Sequence, residues 1–238
     1  MAVYTNVPTL AANFLAPASV SIDVLGSSIS GGRNGVGESQ TIEMSGGGLL
    51  AATYTDCKLT EPEQYEYVNW LGARLNGGFR YVNVPIITDW YGPFASKKPK
   101  ITDIPHSDGS YFSDTSGYSQ ATVYGEITQA AALNAGIIKM RVYGLSRPLR
   151  WSDWFSIYHE TKGWRAYRYW EVLDATDEAN PVYTLALAPP LREAVTVGTR
   201  VEFARPRFVA KFKDGFTLPS IVEAFFVTQQ SLQFSEAF

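Results

Sequence analysis

The sequence predicts a mainly β protein, built of β-sandwich or barrel domains with one capped helix packed on a sheet and a long aromatic loop. Three observations predict it. Short runs rich in Val, Ile, Tyr, Phe and Trp alternate apolar with polar residues, at the period of two that separates the faces of a strand. Gly, Pro, Asn or Asp stands between most of these runs, as turns require. A single segment has helical spacing, so it has no second helix to pack on and a sheet is its natural support.

Residues 48–57, 79–87, 122–127, 136–144, 154–159, 164–172, 182–188, 199–203 and 208–212 read as strands. The run from Gly136 to Gly144 is the clearest: Ile138, Met140 and Val142 fall on one face, Lys139 and Arg141 on the other. Lys213-Asp214-Gly215 predicts a tight hairpin between Phe212 and Phe216, because Gly takes positive φ without steric cost. The helix is expected over about 61–76. Thr60 is its expected N-cap, Pro62 sits in the first turn, Glu63 is the expected N3 capping-box partner and Asn76-Gly77-Gly78 is the stop signal. Tyr67, Val68, Trp70, Leu71 and Leu75 cluster at helical spacing, and Trp70 and Leu71 are expected against the strands.

Residues 88–120 have no usable period, yet they carry Trp90, Tyr91, Phe94, Tyr111, Phe112 and Tyr118. That is too long for an ordinary connection and too aromatic for a segment meant to stay in water, so an arm that orders against a neighbouring subunit is expected. The chain accordingly divides into an N-terminal β domain (1–92) carrying the helix, an extended loop or assembly arm (93–120) and a C-terminal β-barrel-like region (121–238). The last either stands alone or forms one body with the first.

Composition narrows the function. At 238 residues, with 45% hydrophobic, 14% aromatic and 18% charged residues, the chain can bury a core without a metal or disulfide. The net charge of −3 and the lack of any basic run beyond Lys97-Lys98-Pro99-Lys100, a solvated loop, speak against nucleic-acid binding. Cys57 is the only cysteine, which excludes an intrachain disulfide and a cysteine-clustered zinc site. Residues 1–20 lack a basic region ahead of an apolar run, and no stretch reaches the roughly 18 apolar residues of a membrane helix, so a soluble protein without membrane insertion is expected.

No constellation of nucleophile, base and orienting group stands out. His106 lies in the polar loop and His159 at a strand end, both in ordinary hydrogen-bonding contexts. Asp103, Asp108 and Asp114 lack the spacing of a calcium loop. Residues 31–37 are glycine-rich but lack the Lys-Ser/Thr ending of a phosphate loop, so they read as a flexible turn or linker. Glu61 and Glu63 are accounted for by capping. No catalytic, cofactor-binding or metal-binding residue is assigned, and a non-enzymatic role is expected. The six tryptophans raise a carbohydrate-binding or host-receptor-binding module as the alternative, although alternation and helical spacing would bury Trp70 and some of Trp154, Trp164 and Trp170.

Two ordered series of motifs carry a family resemblance. The first is Ser28-Ile29-Ser30-Gly31, the glycine-rich turn, Gln40-Thr41-Ile42-Glu43, then Gly46 to Tyr54, the capped helix and its Leu71-Gly72-Ala73-Arg74-Leu75-Asn76 end. The second is Asp153 to Ile157, Tyr167 to Val172, Tyr183 to Leu187, Pro189-Pro190-Leu191-Arg192-Glu193-Ala194, Val201 to Pro206 and the closing Phe234-Ser235-Glu236-Ala237-Phe238. Together they resemble bacteriophage tail-tip proteins of the distal tail (baseplate hub) type. The resemblance implies a structural virion component at the tail tip, made in the host bacterial cytoplasm. It implies a ring of identical subunits, commonly a homohexamer, that joins the tail tube to the baseplate hub, with tape-measure and receptor-binding tail proteins as further partners. The segment 88–120 departs from that family's pattern, and its own aromatic load makes Trp90, Tyr91, Phe94, Tyr111, Phe112 and Tyr118 the expected interface residues; on the resemblance Arg192 joins them, offering its planar fork to a carboxylate from a rigid Pro-Pro-Leu-Arg turn.

Overall fold

The computed structural model describes residues 4, 6–12, 14–26, 28–43, 46–86, 101–104, 106, 108–120, 123–145, 147–151, 153–219 and 228–238. It is mainly β. In chain order the elements are β1 (Ser19–Leu25), β2 (Ser28–Arg33), β3 (Ser39–Glu43), β4 (Leu49–Leu59), α1 (Pro62–Leu75), β5 (Val82–Pro85), β6 (Ile101–Ile104), β7 (Tyr118–Gln120), β8 (Tyr124–Gln129) and β9 (Ile137–Tyr143). β10 (Phe155–His159), β11 (Gly163–Ala175), β12 (Val182–Ala188), β13 (Arg200–Glu202), β14 (Arg207–Phe212) and β15 (Thr228–Glu236) follow. They form two compact units: residues 1–87, 159–165 and 207–238 make the first, 88–158 and 166–206 the second.

The first unit is built on a five-stranded antiparallel sheet ordered β1-β4-β15-β14-β5. Its composition differs from the sequence division, because the strands after Arg207 join β4 and β5 rather than the C-terminal barrel. Burial along β4 shows how this face is selected. Leu50, Ala52 and Tyr54 point inward, then the alternation changes phase to Cys57 and Leu59. The cause is a bulge: Leu232 faces Tyr54 while Gln230 faces Cys57, leaving one extra residue on β4, and Asp56 takes it up at φ 50°. Helix α1 buries Gln64, Val68, Leu71 and Leu75 against this unit. It is capped one residue later than expected, at Glu61, with Gln64 rather than Glu63 at N3; the Gln64 Oε1 accepts the backbone N–H of both Glu61 and Thr60. Trp70 departs from expectation. It is 44% exposed, since Val68, Leu71 and Leu75 already fill the inward stripe, and it stacks on Tyr67 at 5.4 Å with the Arg74 guanidinium over its ring.

A buried ion pair fastens the end of the chain into the first unit. Arg165 and Glu236 are both inaccessible, their Nη1 and Oε1 lie 3.2 Å apart, and the other Glu236 oxygen accepts the Leu50 N–H. Arg165 also donates to the carbonyls of Lys162 and Ala237 and lies between the rings of Tyr4 and Phe238. Gly163 leaves room for this: its φ is 65° and a Cβ there would come within 2.4 Å of the Tyr4 carbonyl oxygen.

The second unit centres on a closed six-stranded barrel, β10-β11-β12-β9-β8-β13, with β13 pairing β10 to complete the circuit. Closure removes the open edges that strands otherwise expose. The interior is filled by side chains, among them Ile138, Met140 and Val142 from β9 as expected, with Phe155, Ile157, Tyr167, Tyr169, Leu185 and Phe203. Lys213-Asp214-Gly215 does turn, with the Phe216 N–H bonding the Lys213 carbonyl, but no tight hairpin follows. Phe212 pairs with Phe234 of β15 instead. Within residues 88–120, expected to be an aperiodic arm, β6 and β7 pair as an antiparallel hairpin.

Candidate functional site

Among the described residues no group of three or more His, Cys, Asp or Glu side chains converges in a way that could hold a metal ion. His159 is buried, and the His106 ring meets Phe112 edge-on at 4.8 Å. Cys57 is buried, and burial pushes its thiol up to about 11.

Surfaces that ask for a partner are more distinctive. Strands β2 and β3 form a two-stranded ribbon of their own, in which Ser28 faces Glu43, Ile29 faces Ile42 and Ser30 faces Thr41. All six residues of β2 are exposed. Ile29 and Ile42, directly opposed on one face, are 54% and 58% exposed, and Val36 at the tip is 86% exposed. The turn itself is firmly made rather than a flexible linker. The Asn34 side-chain oxygen accepts the N–H groups of Val36 and Glu38, its amide donates to the Glu38 carboxylate, and Gly37 closes onto the Asn34 carbonyl at φ 87°. β1 leads directly into this ribbon and is an edge of the five-stranded sheet, pairing among the described residues with β4 alone. The opposite edge is covered: Asn83 of β5 exchanges backbone hydrogen bonds with Pro8 and Leu10.

A second ribbon joins β6 to β7 through two turns of the same make, exposed over residues 108–116. Asp108-Gly109-Ser110 and Asp114-Thr115-Ser116 repeat one pattern six residues apart. In each, the Asp accepts the hydroxyl and the N–H of the Ser two residues on, which holds both carboxyls below the ordinary carboxylate range. Gly109 and Thr115 take positive φ at matching positions. Tyr111, between the turns, and Phe112 are both exposed, and Tyr118 opens β7 opposite Ile104. Trp90, Tyr91 and Phe94 lie outside the described residues.

Arg192 requires correction. It is buried within the second unit, where its N–H donates to the Tyr167 hydroxyl at 3.0 Å, so it offers no surface fork to a neighbour. The tryptophans also differ from expectation, since none of the five described is fully buried. Trp154 and Trp164 are partly covered, by Arg168 and Arg207 respectively, while Trp151 and Trp170 stand exposed. Sequence reasoning passed over Ile29, Val36 and Ile42 because one apolar residue per strand gives no alternation to count; the signal was the pairing of two isolated isoleucines across a glycine-rich turn.

No protein-family model matches the chain, and no curated protein matches it.

Proposed function

We propose that the chain is a structural, non-enzymatic subunit of a bacteriophage tail tip, of the distal tail type. In this role it assembles with copies of itself into a ring, six by the family resemblance, that connects the tail tube to the hub and receptor-binding parts. The β2–β3 ribbon is the observation that carries the reading. A two-stranded hairpin with no packed face is marginal in water on its own, and this one places an Ile pair and a Val tip in solvent. Contact with another copy would cover them. Where the ribbon meets a different surface on the next copy, the contact joins unlike surfaces, and repeated unlike contacts close into rings when the rotation allows. The exposed Tyr111 and Phe112 on the second ribbon supply aromatic anchors of the sort that dominate interface energy.

Mass photometry and negative-stain microscopy of the purified protein test this. Rings are expected from the native chain, and monomers with native far-UV circular dichroism from Ile29→Lys/Ile42→Glu. A native chain that stays monomeric at high concentration, or a double variant that still forms rings, would sink the proposal.

A further inference from the structure

We infer that the outer wall of the barrel at β11 is a saccharide-binding face, with Trp170 as its platform and Arg168 and Glu171 as its polar contacts. The inference stands apart from ring assembly, whose carrying observation, the β2–β3 ribbon, lies in the other unit.

Strand register defines the face. Tyr167 and Tyr169 point into the barrel core, which sends Arg168 outward. Tyr169 faces Leu187 and Glu171 faces Ala186, so Trp170 is an extra residue with no partner on β12, a bulge that turns both Trp170 and Glu171 to the outside. Trp170 is 63% exposed as a result. The neighbouring positions on β12 are small: Ala188 lies opposite Arg168 and Ala186 opposite Glu171. An exposed indole is thus flanked by a guanidinium and a carboxylate.

A second, independent feature adjoins this wall. The segment entering β10 reaches it through Trp154, whose ring lies under the Arg168 guanidinium at 5.6 Å. Three residues earlier, Trp151 is 74% exposed on a loop held from several sides. Arg147 grips the Asp153 carboxylate with two nitrogens at 2.7 and 2.8 Å, and the Arg150 N–H donates to the same carboxylate at 2.7 Å. The Asp153 N–H returns a bond to the Arg150 carbonyl, which also accepts the hydroxyl of buried Tyr169. A bidentate, largely buried ion pair is a costly way to shape a loop that presents an indole outward. Its effect is to fix Trp151 in advance of any ligand.

The chemistry of the face selects the occupant. The core of a protein interface is depleted in charge, whereas here Arg168 and Glu171 flank Trp170, and Arg150 precedes Trp151. A ligand that suits it needs flat apolar faces edged by many hydroxyls. A pyranose ring has both: its C–H face meets the negative face of indole, and adjacent hydroxyls match the paired donors of Arg168 and the paired acceptors of Glu171.

Maltohexaose, cellohexaose, chitohexaose and a galacturonate hexamer, titrated into the full chain with calorimetry and tryptophan fluorescence, provide the test. At least one is expected to bind saturably with a Kd on the order of 0.1–10 mM. Trp170→Ala should weaken that binding by at least about tenfold and Arg168→Gln by a smaller factor, while Trp70→Ala, on the helix of the other unit, leaves it unchanged. Matching circular dichroism and thermal midpoints for the variants exclude unfolding as the cause. Binding by none of the four, or binding that Trp170→Ala leaves intact, overturns the assignment. So does a finding that Trp170→Ala abolishes self-association while no saccharide binds, which makes the face a protein contact.

Discussion

Replacing Arg165 with Met should destabilise the first unit by about 3–5 kcal/mol, because it leaves the Glu236 carboxylate buried without its counter-charge. At roughly 2–4 °C per kcal/mol for a chain of this size, the thermal transition of that unit should fall by about 6–20 °C. The more telling variant is Arg165→Met/Glu236→Leu. Apolar replacement of both members of a buried pair is often neutral or stabilising, since the desolvation cost disappears with the charges. Here the two side chains also serve the backbone: Glu236 accepts the Leu50 N–H, and Arg165 donates to the carbonyls of Lys162 and Ala237. Two buried backbone groups, the Leu50 N–H and the Ala237 carbonyl, would lose those partners at about 1–3 kcal/mol each, so the double variant should remain at least about 2 kcal/mol below the native protein. Urea unfolding gives the totals, and hydrogen exchange at the Leu50 amide reads the site directly. A double variant with native stability would refute the argument, by showing that the pair costs as much as it contributes.

Two further outcomes are expected. Because burial raises the Cys57 thiol to about 11, well above an ordinary thiol, its native-state alkylation at pH 8 should run roughly a hundredfold slower than in urea. The unfolded chain loses that proton first, so this group's contribution to stability is full below the ordinary thiol pKa and declines as pH rises toward 11; a native rate equal to the unfolded rate would place Cys57 at the surface. Trp70→Ala should cost only about 0.5–1.5 kcal/mol, the worth of an exposed stack on Tyr67 and a cation over the ring, rather than the 3–5 of a core tryptophan; chemical denaturation distinguishes the two.

Where one face of a strand is buried and the other wet, the sequence was enough. β9 alternates as written, β12 keeps the bounds assigned to it, and α1 lies within a residue of its expected ends. The misses have physical causes. Bulges at Asp56 and Trp170 change the phase of alternation midway along β4 and β11, and a single-period reading then buries the wrong tryptophan. β15 carries only Leu232 and Phe234 as apolar residues among glutamines and serines, and it is a strand because β4 and β14 flank it with partners on both sides. β1 was legible, since Val20, Ile22 and Val24 alternate with Ser19, Ser21 and Asp23, and went uncounted. In residues 101–120 order comes from a six-residue repeat of Asp-capped turns, which hydrophobic periodicity cannot register. Arg192 was misread because a Pro-Pro-Leu-Arg turn looks like surface, whereas Leu191 and Arg192 both fold inward and Leu191 pairs its N–H with Ala135.

The asymmetry of the first unit bears on what kind of assembly can form. One sheet edge, β5, is already occupied by residues 8–10, so a copy cannot extend the sheet there. The other edge, β1, pairs among the described residues with β4 alone and runs straight into the exposed ribbon, which carries the Ile29–Ile42 pair. Were the isoleucine faces of two copies to meet each other, a two-fold dimer would form and growth would stop there. Were the ribbon to reach a different apolar surface, the pair would still have one donor and one acceptor left, and growth would continue until the ring closed. The first unit holds a surface of that second kind: Phe14, Tyr67 and Trp70 form a ladder of rings along the outside of α1, with spacings of 5.9 and 5.4 Å and both Phe14 and Trp70 exposed. An outward tryptophan that adds little to the stability of its own helix is thus in keeping with a chain whose apolar surface is shared out between copies.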